Sequence, residues 1–280
     1  KRFIVMAIDN VLKLYSETIR SEFLHYGYWN NPELIDYNKV TLNEIKTAQN
    51  KYIENLSSYI PNNVKTILDV GCGIGGNTKF LINKGYNVEA LSPDDYQKSI
   101  LNKKFNGKII FHHTKFEDYI SQNKYDLILE SESACYIKIE KGFKKAKEIL
   151  NHGGYLLVSD YFVYFRDETK NPHLKSSHDL NKYLSSAKEY GFKLIKEYDQ
   201  TENTMPTLDY AKYFFERFIN PSLEYGIYSL NKNFPKISMI FKKLASSKFN
   251  KKKEQLKLIN SNEFRKYRKY MIFLFQKENI

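Results

Sequence analysis

The sequence predicts an α/β protein: a seven-stranded, mostly parallel sheet with helices on both faces, an N-terminal helical lid, and a helical cap inserted before the last strand. Three observations predict it. Short apolar runs alternate with amphipathic stretches from residue 61 to 204, a glycine-rich turn (Gly71–Gly76) joins the first run to the stretch after it, and the alternation lapses over 205–262 before one more strand-like run. Strands that alternate with helices need crossover connections, so neighbouring strands run parallel and both faces are covered.

Apolar positions at helical spacing (Ile8, Val11, Leu12, Tyr15, Ile19, Phe23) predict a helix over 8–23. The loop His25–Pro32, HYGYWNNP, follows, then a helix over Leu42–Tyr59 that stops before Pro61. Strands are expected at Val64–Val70, Asn87–Leu91, Lys108–His112, Tyr125–Glu130, Tyr155–Val163, Phe192–Tyr198 and Tyr270–Phe275. Helices are expected at Asn77–Lys84, Gln97–Phe105, Glu140–Leu150 and Asn181–Tyr190. Beyond these, Leu208, Ala211, Phe215, Phe218 and Ile219 share one helical face, and Ile237, Ile240, Phe241 and Leu244 share another. The expected organisation is helices and lid over 1–60, the ligand-binding core over 61–204, the cap over 205–262 and the last strand over 263–280.

A hydrophobic share of 42% with 27% charged residues belongs to a folded chain with a real core. Cys72 and Cys135 make neither a disulfide framework nor a zinc-ligand spacing, so a reducing, cytoplasmic setting and no metal are expected. The apolar run Phe3–Ile8 is cut by Asp9 and Asn10, shorter than a membrane span needs. The formal charge of +12 is uneven: Met205–Ile280 carries 16 Lys+Arg against 6 Asp+Glu, and the preceding residues are nearly balanced.

The turn TILDVGCGIGG, Thr66–Gly76, is the strongest local signal. Its glycines let a strand turn tightly and bring backbone against a ligand before a helix opens. Gly71, Gly73 and Gly76 also satisfy the spacing of a dinucleotide fingerprint. Asp69 argues against that ligand, because a carboxylate beside the helix N-terminus repels a pyrophosphate. It favours instead a ligand with an ammonium and a sulfonium centre, S-adenosylmethionine.

Asp69 through Gly76 resembles the first motif of class I S-adenosylmethionine-dependent methyltransferases, a family with a Rossmann-like core. The resemblance runs over about Leu42–Val163 and is nearest to the small-molecule branch typified by tocopherol methyltransferases and cyclopropane synthases. It implies cofactor contacts from Asp69, Gly71, Cys72, Gly73 and Gly75. At the second strand Ala90 stands where a ribose-binding acid is usual, and Leu91-Ser92-Pro93 resembles the branch in which Ser and Gln serve there. Ser92 with Asp95 or Gln97 is expected in that role. On the adenine side Lys115 stands where an acid is common, and Phe116 and Glu117 fit better, with Glu130 on the central strand. The segment His25–Trp29 resembles the lid folded over the cofactor, with Tyr28 toward the cofactor and Tyr26 or His25 toward the acceptor.

Groups at the carboxyl ends of strands line the crevice of such a sheet. Glu132 is therefore the expected base, or the anion that stabilises positive charge developing in the acceptor, and Tyr136 shares its loop. Asp160-Tyr161-Phe162 resembles an Asp-Tyr of phosphoethanolamine methyltransferases, which adds Tyr161. Methyl transfer from a sulfonium is an in-line displacement, so alignment and water exclusion carry most of the catalysis and no nucleophilic triad is required.

The expected activity is methylation of a small apolar or amphipathic acceptor such as a lipid, isoprenoid or natural-product intermediate, at carbon or nitrogen. Two alternatives stand beside it: a phosphobase N-methyltransferase, and a binding module that has lost catalysis. Lys242, Lys243, Lys248, Lys251, Lys252 and Lys253 make the cap basic; a solvated helical face, an anionic or phosphate-bearing acceptor and transient contact with an anionic membrane all suit it better than nucleic acid, for which no module is recognisable.

Overall fold

The fold is that of a computed structural model, which describes residues 17, 18, 20–165, 177–235 and 260–278. Seven strands form one sheet: β1 (Thr66–Val70), β2 (Asn87–Leu91), β3 (Phe111–His112), β4 (Tyr125–Ser131), β5 (Leu150–Val163), β6 (Phe192–Asp199) and β7 (Arg268–Lys277). Their order is β3-β2-β1-β4-β5-β7-β6. Every pairing is parallel except those of β7, which runs antiparallel to both β5 and β6.

The described helices are α1 (Leu42–Ser57), α2 (Gly76–Asn83), α3 (Asp95–Phe105), α4 (Ile139–Ile149), α5 (Leu180–Glu189), α6 (Thr201–Phe214), α7 (Asn220–Asn233) and α8 (Ser261–Tyr267). Their starts are written in the sequence. Thr41 closes a capping box with Glu44 on α1, and Asp94, Asp179 and Asn260 cap α3, α5 and α8 through their side-chain oxygens.

Two apolar layers flank the sheet. One joins Leu68, Val70, Ile128, Val158 and Phe273 to Phe143, Ala146 and Tyr183 of α4 and α5. The other joins Ile67, Leu129, Leu157 and Ile272 to Tyr52, Ile53 and Leu56 of α1 and to Met205 and Leu208 of α6. Residues of one strand alternate between these layers, as the pleat requires.

Four expectations are corrected. Of the helix expected over 8–23, only Glu17 and Thr18 are described as helical; residues 20–23 are not, and Arg20 takes φ +52° as the chain turns toward the lid. The strand expected from Lys108 is regular only at Phe111–His112; before it, Ile110 still accepts the Ala90 N–H at 3.0 Å but is 56% exposed at the sheet edge. The strand expected from Tyr155 begins at Leu150 and passes through an irregularity in its pairing with β4. The cap helix begins at Thr201, directly after β6, rather than near Met205. Its first turns are buried: Thr201, Thr204, Met205, Pro206, Thr207 and Leu208. The face expected over Leu208–Ile219 lies on a continuous helix that passes through a π-turn at Phe215–Ile219 into α7. The face Ile237–Leu244 and the lysines from Lys242 to Lys253 fall outside the described residues.

Candidate active site

A cleft of about 470 Å³ opens at the carboxyl ends of β1, β2 and β4, within the range of small-molecule and cofactor sites. Its back wall is the glycine turn. Gly71, Gly73 and Gly75 have φ of +70°, +57° and +79°, the left-handed region that disfavours side chains. A Cβ on Gly71 would stand 2.4 Å from Cβ of Ser133, and one on Gly75 2.6 Å from Leu101, so these two are required by packing. At Gly73 the nearest atom would be Leu24 Cδ1 at 3.5 Å. Gly73 is therefore the position that leaves backbone open to a ligand in the cleft.

Asp69 is fully buried just behind the turn, and its carboxylate accepts a bond from Thr78 Oγ1 at 2.6 Å. Burial raises its pKa to about 6, although the Thr78 bonds oppose the rise. Asp69 is absent from the cleft wall and instead ties the end of β1 to α2, so its influence on a ligand is exerted from behind the loop. Cys72 lines the cleft, and burial holds its thiol neutral well above its ordinary range.

The tip of β2 resolves the choice between Asp95 and Gln97. Ser92 Oγ donates to Gln97 Oε1 at 2.7 Å, and both residues line the cleft with Asp94. Asp95 faces elsewhere, 3.3 Å from His113. Phe116, buried, and Glu117 line the opposite side, where Glu117 accepts the backbone N–H of Lys138. Glu130 lies below this wall rather than on it, beside Tyr183 and a very small void. Burial, with Asp160 and Glu117 nearby, pushes it up to about 8.

The lid crosses in front. His25 lines the cleft, buried and stacked on Tyr52 with ring centres 4.1 Å apart. Burial lowers its pKa to about 4, so the ring is neutral. Nδ1 donates to Tyr26 O at 2.8 Å, which leaves Nε2 as an acceptor facing the Asn77 amide at 3.1 Å, an amide that must turn its nitrogen inward. Tyr28 does not line the cleft; its hydroxyl meets that of Tyr198 at 3.2 Å, and burial raises its pKa. The lid is fastened to the root of the cap, because Thr207 Oγ1 accepts both the Gly27 N–H and the Trp29 indole N–H, at 3.0 and 2.9 Å.

Glu132 forms the floor, at φ +52°, directly after β4. Its Oε1 accepts the backbone N–H of Tyr26 at 2.8 Å and the hydroxyl of Tyr270 at 2.5 Å. Burial is the main reason its pKa rises to about 7; the two bonds oppose the rise and Asp160 adds to it. A buried carboxyl poised near neutrality and open to a cleft is suited to exchanging a proton with a ligand there. Tyr136 lines the same cleft at its exposed mouth. Tyr26 contributes its backbone to the floor, while its ring packs 5.7 Å from that of Tyr270. Tyr161 is off the cleft wall, packed against Phe264 and Tyr270 beneath the Arg268 guanidinium.

Three contributors went unread in the sequence. Tyr270 and Tyr52 reach Glu132 only through pairings of distant segments, and nothing local marks them. Glu22 was legible in principle as an acid before the lid: it pairs with Lys79 of α2 at 2.8 Å and anchors the lid's entry. The donor set fits the expected cofactor, with backbone exposed at Gly73, the polar Ser92–Gln97 pair at the tip of β2, and the carboxylates of Asp94, Glu117 and Glu132 around a cationic ligand.

Comparison with known proteins agrees. A family described as a methyltransferase domain matches residues 44–199. The chain is 23% identical over 219 residues to the sterol 24-C-methyltransferase of Kluyveromyces lactis, covering 69% of this chain and 59% of that one. It is 28% identical over 142 residues to an uncharacterized methyltransferase of Staphylococcus carnosus, covering 50% and 64%. It thus spans about three-fifths of the length of these curated relatives. A provisionally named sarcosine dimethylglycine methyltransferase of Galdieria sulphuraria superposes with a TM-score of 0.70 at 17% identity, covering 97% of this chain and 99% of that one. The geranyl diphosphate C-methyltransferase of Streptomyces coelicolor A3(2), solved with S-adenosyl-L-homocysteine, does so with a TM-score of 0.66 at 14% identity, covering 95% and 91%. At such identities the likeness is one of fold. A strand–turn–helix that brings bare backbone to a cleft is thus set in a chain that belongs to the methyltransferase domain family, as a class I member whose cofactor is S-adenosylmethionine.

Proposed function

We propose that the chain methylates a small apolar or amphipathic acceptor, with carbon favoured over nitrogen, and that Glu132 takes the proton the acceptor must lose. The observation that carries this reading is the floor of the cleft: a carboxyl with a pKa near 7, open to the cavity, bonded to the lid backbone at Tyr26 and sharing the wall with His25. S-adenosylmethionine, when bound, supplies a methyl group already activated by its sulfonium. The protein's own part is then to align, to keep water out and to manage charge. An apolar carbon nucleophile turns positive as it is methylated, and a carboxylate below it stabilises that charge before accepting the proton. His25, neutral and doubly engaged, serves as wall. The sterol and geranyl diphosphate C-methyltransferases among the similar proteins support carbon.

The test is transfer from methyl-labelled S-adenosylmethionine to a panel comprising an isoprenoid alcohol, an isoprenoid diphosphate, an unsaturated lipid and phosphoethanolamine. Label in an isoprenoid or lipid product is expected, and Glu132→Gln should lose about 100-fold or more of that rate. Product from phosphoethanolamine alone would defeat the reading. The phosphobase alternative leaned on Tyr161, which lies off the cleft wall, and on the basic cap, whose lysines fall outside the described residues. Contact of the basic C-terminal third with an anionic lipid surface would suit delivery of an amphipathic acceptor. Co-sedimentation with anionic but not neutral vesicles tests it.

A further inference from the structure

Glu132 is held from one side. Its Oε1 accepts from the Tyr26 N–H and the Tyr270 hydroxyl, whereas no described residue bonds Oε2, and the side chain lines the cleft. The Tyr270 ring is wholly buried and would pack equally well without its oxygen. That oxygen is nonetheless at the centre of a buried polar chain. It lies 3.1 Å from the Tyr52 hydroxyl, which donates to Ser159 Oγ at 2.7 Å, and Ser159 Oγ also accepts from Gln200 Nε2 at 2.8 Å. The Tyr270 backbone is fixed to the same place: its N–H donates to Thr201 Oγ1, and its carbonyl accepts from Gln200 N–H, both at 2.9 Å.

Burying this many polar atoms in an otherwise apolar layer costs free energy unless each is satisfied, so the arrangement has a use that a phenylalanine in the same space would not serve. We propose that Tyr270 is the positioning residue of the proton acceptor: its hydroxyl pins Oε1 of Glu132 so that Oε2 alone faces the acceptor, and the backbone bonds of Tyr270 to Gln200 and Thr201 hold that hydroxyl against the root of the cap. The proposal rests on the reading of Glu132 as proton acceptor. It gives β7, the strand after the cap, a place in the chemistry.

The donor has a second effect. A hydrogen bond to the charged form of a carboxyl favours that form, so Tyr270 opposes the burial and the Asp160 charge that push Glu132 upward. The other groups near Glu132 are Tyr26 from the lid, Tyr52 from α1, Cys135 from its own loop and Asp160 from β5, with neutral His25 on the same cleft wall, and none of them carries a positive charge. Removal of the phenol oxygen therefore moves Glu132 in one direction only, upward.

The test is infrared difference spectroscopy of the full chain across pH, with the protonated-carboxyl band of Glu132 assigned by its loss in Glu132→Gln. The wild-type midpoint is expected near 7. In Tyr270→Phe it should rise by about half a pH unit or more, and in Tyr52→Phe by less. Calorimetric affinity for S-adenosylhomocysteine should stay within about twofold in both variants, since neither hydroxyl lines the cleft. The same midpoint in Tyr270→Phe as in wild type overturns the proposal. Should Tyr270→Phe fail to bind S-adenosylhomocysteine, replacement of Tyr270 by 3-fluorotyrosine decides: its more acidic phenol donates more strongly and should lower the midpoint, and an unmoved midpoint there overturns the proposal. Full turnover by Glu132→Gln defeats the underlying reading instead, whatever the spectra give.

Discussion

The helical segment after β6 is held at its root and bare along its second half. In α6 six residues from Thr201 to Leu208 are buried, whereas none in α7 is; there Tyr225 is 71% exposed and Tyr228 58%. The two halves are similarly rich in aromatic residues. The difference is what each half meets. The root lies against β7, α1 and the lid, and it presents hydroxyls where the lid needs acceptors. The second half meets no such partner among the described residues. Apolar content alone therefore does not say which part of a helix belongs to a site.

Substitutions can break or sharpen that contrast. The largest effect is expected from Thr207→Val, which keeps the volume but leaves the Gly27 N–H and the Trp29 indole N–H without their acceptor. Stability should fall by about 2 kcal/mol or more, read by urea titration, and loss of less than a quarter of that would mean the lid is held elsewhere. Asn203→Ala comes next. It removes a bond to Trp29 O at 2.9 Å and one from the Tyr198 hydroxyl at 3.2 Å, for about 1 kcal/mol. Tyr225→Ser, in α7, should change stability by no more than about 0.5 kcal/mol. A larger loss there would show that the second half is packed after all.

A pH titration sharpens the comparison on the side of the site. In the folded chain Glu132 and Glu130 sit at about 7 and 8, above the ordinary carboxyl value of 4.5. The folded state then binds more protons than the unfolded one, so the stability these groups contribute is present at low pH and lost as pH rises through their folded values. Asp69 and Asp160, at about 6, act the same way at lower pH. His25 acts oppositely: its folded value of about 4 lies below the ordinary 6.5, so its stability is present above 6.5 and is lost as pH falls toward 4. Between about pH 6.5 and 8 the two glutamates lose their protons in the folded state. The melting temperature of the ligand-free protein should therefore fall between about pH 6.5 and 8, and Glu130→Gln should flatten much of that slope. A flat or rising wild-type curve would contradict the burial of these carboxyls.

Much of this was legible in the sequence because it depends on neighbours in the chain. The glycine turn and the seven strands follow from local pattern, and so does the candidacy of Glu132, which follows from its place at a strand end. Asp69 was legible as important, but not in its manner of acting: Thr78, nine residues on, takes its carboxylate before any ligand does. Asp95 and Gln97 were both legible as partners of Ser92, and only the Ser92 contact chose Gln97. Tyr270 lies 138 residues from Glu132 and 218 from Tyr52. No periodicity links such residues, because their meeting depends on where β7 inserts between β5 and β6.

That insertion has a consequence for how this architecture can diversify. Because β7 alone runs against the sheet, the chain leaves β6 and re-enters β7 at the same end, the end where the cleft lies. Whatever stands between Asp199 and Arg268 is a loop closed at both feet on the active crevice. Beyond the root that holds the lid and Tyr270, its content bears on neither the spacing of the glycine turn nor the register of the cofactor half. Tyr270, three residues into the returning strand, still arrives under Glu132. The segment after β6 is in this sense free to vary beyond its root, while the floor beneath it stays fixed.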